Sequence, residues 1–80
     1  MEGGAAKKLT EAQRQQIAEI RQVGEAKKAE VKIMMDDKLR KLAETAAAPE
    51  VVTKTRREFQ DQIDKIERDT DAKAEKVKRG

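Results

Sequence analysis

The chain contains no cysteine and no histidine. These absences remove disulfides, thiol nucleophiles, the usual zinc ligand sets and the commonest general base. Tryptophan and tyrosine are also missing, and Phe59 is the only aromatic residue. One ring offers little platform for stacking unpaired bases, so aromatic capture of single-stranded nucleic acid is not expected. No apolar run approaches the 18 or so residues of a membrane span, and no signal-peptide core is present. The expectation is a cytoplasmic protein with no membrane association, no cofactor, no metal and no small-molecule substrate.

Large apolar residues are scarce as well. Val, Ile, Leu and Phe together make up 14 of 80 residues, below the roughly 20% that flags disorder when net charge is high. Net charge is only +3, from 19 basic and 16 acidic residues. Mixed charge with heavy Ala, Glu, Lys and Arg usage suits long helices or a coiled coil. Eighty residues allow one small domain, whose core rarely supplies more than about 3–5 kcal/mol of net stability.

The single proline, Pro49, organises the chain. It lacks a backbone N–H and restricts the residue before it, so a helix arriving from the N-terminal side stops near Ala47 or Ala48. The same residue suits the first turn of a new helix, where Glu50 adds a favourable carboxylate. Residues 46–50 therefore form the tip of an antiparallel helical hairpin. Residues 1–9, with Gly3-Gly4-Ala5-Ala6, carry no pattern and are expected to be disordered. Thr10 and Gln13 fit a capping box that starts the first helix at about residue 11. The hairpin spans 10–79, with helices over about 11–47 and 49–78 and a turn at about 47–49.

In the first helix Ile17, Ile20, Val31, Met34, Met35, Leu39, Leu42 and Ala46 recur at helical spacing. Gly24 sits on this stripe, either admitting a close neighbour or merely weakening the helix. The second stripe holds Val52, Phe59, Ile63, Ile66 and Val77. Thr70 and Lys73 fall where a heptad wants apolar groups, so the seam is expected to loosen toward the C-terminus. Seven acid-before-base pairs at i, i+4, among them Asp36–Arg40, Asp37–Lys41 and Glu50–Lys54, support solvated helices. Ile33, Met34 and Met35 widen the apolar face beyond what one partner helix covers. The all-α hairpin is thus expected to complete a bundle with a second copy or a helical partner protein.

No phosphate loop, metal spacing or nucleophile elbow occurs, and Asp36-Asp37 and Asp69/Asp71 fit exposed surface acids. An enzyme is not expected. Basic residues cluster at Lys27-Lys28-Lys32, at Arg56-Arg57 and at the C-terminal end. Such clusters either bind phosphates or complement helix dipoles.

Several runs resemble the C-terminal part of ribosome recycling factor, which forms the last two helices of a three-helix bundle. They are Leu9-Thr10-Glu11 with Arg14, Asp37-Lys38-Leu39-Arg40-Lys41-Leu42, and Gln60 followed by Ile63-Asp64-Lys65-Ile66-Glu67, with Asp71, Lys73 and Glu75 beyond. The likeness covers roughly residues 9–78 at low identity. It requires about four residues fewer in each arm, close to one helical turn. The family's arginine-rich RNA-facing segment falls at Lys32-Ile33-Met34-Met35-Asp36, which is apolar and acidic here, and its first helix and inserted β domain have no counterpart. The resemblance implies binding of the ribosome or structured RNA through a basic helix face, with Arg14, Lys28 and Lys32 as carriers. The competing expectation is a self-associating scaffold or docking module, with no nucleic-acid role, acting through Ile20, Val31, Met34, Leu39, Phe59, Ile63 and Ile66.

Overall fold

The structure, a computed structural model, describes residues 8–80. The expected disordered start at residues 1–9 lies outside the described residues except for Lys8 and Leu9, which have no regular structure. Two helices follow, α1 (Glu11–Glu44) and α2 (Pro49–Arg79), with no strand among the described residues. The fold is an all-α antiparallel hairpin. It measures 63 × 19 × 13 Å, so its thinnest dimension is little more than one helix diameter.

α1 begins as its local sequence requires. The Gln13 backbone N–H donates to Thr10 Oγ1 at 3.0 Å, and the Thr10 N–H donates to Gln13 Oε1 at 2.9 Å. Both halves of a capping box are therefore present. The helix ends three residues earlier than expected. Thr45 is the C-cap, and Ala46 takes a left-handed φ of 54°. The Ala47 N–H then reaches the Leu42 carbonyl at 3.0 Å, and the Ala46 N–H reaches the Ala43 carbonyl at 3.1 Å. That pairing is a Schellman motif, which satisfies carbonyls the helix end would otherwise leave open. Pro49 constrains only Ala48, which is extended at φ −60°, ψ 146° and caps α2 without a side-chain bond. The reversal itself occupies Thr45–Ala48, which is why the helix cannot run on to residue 47.

The two arms are in one register. The ion pairs Arg21–Asp71 and Lys28–Glu67 cross between them, and a Cβ on buried Gly24 would meet Thr70 side-chain atoms, including Cγ2 at 2.8 Å. Stepping one heptad from Gly24 and Thr70 toward the tip sets Val31 opposite Ile63, which are 7% and 8% exposed. A further half-heptad sets Met35 level with Phe59, both half-buried. Stepping toward the open end sets Ile20 level with Ala74, which at 1% exposure is the most buried residue of the core.

The expected loosening beyond Ile66 does not occur. Ala74, not Lys73, supplies the seam position, and Gly24 leaves the space that Thr70 fills. Small residues narrow this part of the seam instead of opening it. A further link closes the open end: Gln13 Nε2 donates to the Val77 carbonyl at 3.0 Å. That carbonyl lies in the last turn of α2, where helical partners run out. Of the seven expected i, i+4 pairs, Asp37–Lys41 closes to 3.2 Å, while Arg40 pairs with Asp37 at i, i+3 and 2.7 Å and not with Asp36.

Candidate interaction surfaces

A two-helix hairpin has a seam and two flanks, and here the flanks differ in chemistry. On α1 the spacing of Arg14, Arg21, Glu25, Lys28 and Lys32 places them along one side of the seam. A shallow polar groove on that side is lined by Arg21, Glu25, Lys28, Glu67, Thr70 and Asp71. Lys28 lies between two carboxylates, at 3.0 Å from Glu25 and 3.2 Å from Glu67, and its side chain is 17% exposed. Hydrogen bonding to Glu25 and then to Glu67 raises the Lys28 pKa. The same hydrogen bond, with the Lys28 charge, holds Glu25 below the ordinary carboxylate range. Arg21 reaches Asp71 at 3.7 Å with both side chains largely exposed.

Of the three expected RNA carriers, Arg14 and Lys32 are exposed and Lys28 is engaged inside the hairpin. A phosphate arriving at Lys28 would have to displace two carboxylates. Alternating acids and bases give this flank little net field, which is a poor start for polyanion binding.

The opposite flank is apolar. Ile20, Val23 and Val77 line a shallow groove with Gln16, Glu19 and Lys73. A neighbouring depression brings Val23 together with Ile66, Asp69 and Lys73. Farther along α1, Glu30, Ile33 and Met34 frame another open depression. Val23 is 54% exposed, Ile33 68% and Met34 52%, a large share of the apolar inventory to leave in water. Both ion pairs that cross between the helices among the described residues lie on the other flank.

The seven residues expected to form an association face divide three ways. Val31 and Ile63 are buried within the seam of one chain, so they hold the hairpin together and do not face outward. Ile20, Leu39, Phe59 and Ile66 are half-buried along its edges. Met34 is exposed on the apolar flank. Val23 lies outside that set of seven, although the run Ile20, Val23, Lys27, Glu30, Met34 keeps unbroken three–four spacing. Its two charged members mask the stripe.

Among the described residues no group of His, Cys, Asp or Glu side chains is arranged to hold a metal ion, and no helix is long and apolar enough to cross a membrane. No protein family, curated protein or solved structure matches this chain, and the resemblance to ribosome recycling factor rests on the residue runs given above alone.

Proposed function

We propose that this protein is a non-catalytic assembly module, a helical hairpin that self-associates through its apolar flank. The observation that carries this is one-sided exposure: Val23 and Met34 are each more than half exposed on a single flank of a chain poor in large apolar residues. A monomeric soluble protein rarely leaves such a strip uncovered, and the seam between α1 and α2 is one layer thick. Light scattering at two concentrations with circular dichroism on the same samples tests it. A helical species of at least twice the chain mass, dissociating on dilution with loss of helicity, is the expected result. A fully helical monomer throughout the micromolar range overturns the proposal.

A second reading, in which the hairpin binds the ribosome or structured RNA, draws on Arg14 and Lys32, both exposed on one stripe of α1. It predicts affinity that falls steeply with salt, with a slope reduced by about two when both residues are changed to Ala. Unchanged affinity in that double variant removes the site.

A further inference from the structure

The apolar flank is self-complementary about a single point, which says how a second copy would lie on it. On α1, Ile20, Val23, Lys27, Glu30, Met34 and Asp37 form a continuous stripe beside the seam. Its midpoint falls between Lys27 and Glu30. Val23 and Met34 stand equally far to either side of that point. The Gly24–Thr70 register sets the point level with Lys65 and Ile66 on α2. There the charges repeat the pattern, because Glu58 and Lys73 are also equidistant from it. Lys27, Glu30, Glu58 and Lys73 are all exposed, and none has an ion-pair partner among the described residues.

We infer that a second copy of this chain docks face to face and antiparallel on this flank, completing a four-helix bundle with α1 on α1 and α2 on α2. The inference rests on the self-association reading above and adds orientation and register to it. A half-turn about an axis through the midpoint, lying across both helices, brings Val23 over Met34 of the second copy and Lys27 over its Glu30. The same operation brings Glu58 over Lys73 of the second copy. Two-fold symmetry repeats each contact, so opposite charges meet at Lys27–Glu30 and Glu58–Lys73, while Ile20 lies over Asp37, whose carboxylate is held by Arg40 and Lys41 of its own chain. The parallel arrangement, a half-turn about an axis along the helices, would lay α1 over α2 of the second copy and set Glu58 level with its Asp36 and Lys73 level with its Arg21. Charged residues within an otherwise apolar seam select register and orientation in helical bundles, through favourable pairs in one arrangement and like charges in the others. A face of 63 × 19 Å is ample for the roughly 800 Å² per partner that a stable interface buries.

The absence of cysteine makes the test clean, since any introduced thiol is unique. Val23→Cys and Met34→Cys chains, each checked for unchanged helicity, are oxidised separately and as an equimolar mixture, and the products are weighed by mass spectrometry. In the antiparallel dimer the two copies of residue 23 lie about 17 Å apart along the axis, beyond the reach of a disulfide. The expected result is a mixed Val23→Cys/Met34→Cys product and little of either homodimer. A second readout uses charge: Lys27→Glu weakens dimerisation roughly tenfold or more, and adding Glu30→Lys to the same chain restores it. A Val23→Cys homodimer, or no restoration by the second change in a chain that still dimerises, overturns the antiparallel register while leaving self-association standing. An unmodified chain that stays monomeric by sedimentation equilibrium removes the self-association reading and this inference together.

Discussion

Ala46 holds a left-handed φ that an L side chain adopts at a cost, and glycine adopts it freely. Ala46→Gly should therefore stabilise the hairpin by about 1 kcal/mol, because the Schellman bonds around it already exist. For a chain of this size that corresponds to a rise in Tm of roughly 4–8 °C, readable by thermal denaturation. A second residue inverts the usual expectation. Gly24→Ala in a helix interior normally gains about 1 kcal/mol, yet here the new methyl would collide with the Thr70 hydroxyl and methyl. The single substitution should fail to give that gain, and it should reappear when Thr70→Ala is added. A double-mutant cycle in urea reads the coupling directly. Sequence alone exposes these positions unevenly. The Thr10–Gln13 box is a local pattern, legible from four consecutive residues. The left-handed residue is not legible in that way, because the usual glycine or asparagine signal is absent from the tip and the strain is carried by an alanine.

At the scale of the element, both helices and their antiparallel pairing follow from periodicity and one proline. The details of the seam do not. Ala74 is too small to register in a hydrophobic pattern, yet it is nearly inaccessible. Lys73, beside it, shows a heptad slot that the real register passes over. Gln13 is the other hidden element-scale device, since one amide both closes the cap of α1 and donates to the last turn of α2. Gln13→Ala should cost about 1–2 kcal/mol, more than Thr10→Ala, because it removes an interhelical bond as well as half the box. Amide exchange should show the excess as faster opening of residues 73–79. Equal protection of that segment in the two variants would place the loss in the cap alone. Gln13→Glu separates the two roles, because a carboxylate keeps the acceptor for Thr10 and loses the donor for Val77.

For the whole molecule, the candidate surface is half legible in the sequence. A wide apolar face on α1 is visible in Ile33-Met34-Met35, but which residues face outward depends on the register of α2, and the register is a property of the folded pair. The charged flank shows the same limit: Lys28 looks available in sequence and proves to be bracketed by Glu25 and Glu67. These ion pairs shape the pH response. Glu25 is held low by Lys28, and Asp37 by Arg40 and then Lys41, so their contributions are present above the ordinary carboxylate pKa and disappear as pH falls through the depressed values. Lys28 is raised, so its contribution is present below the ordinary lysine pKa and disappears as pH rises through the raised one. Helicity at fixed concentration should be flat from about pH 5 to about pH 10 and decline on both sides. Lys28→Gln should soften both declines, which a pH series by circular dichroism would show.

The Gln13–Val77 clamp has a mechanical consequence. It sits at the end of the hairpin where the two arms leave together, so a pull applied across those arms loads it first. Force then acts across the seam, breaking one heptad level at a time, and does not shear all levels at once. Stretched by its two arms, the hairpin should open as a zipper at low and nearly constant tension, with the left-handed tip the last part to give way.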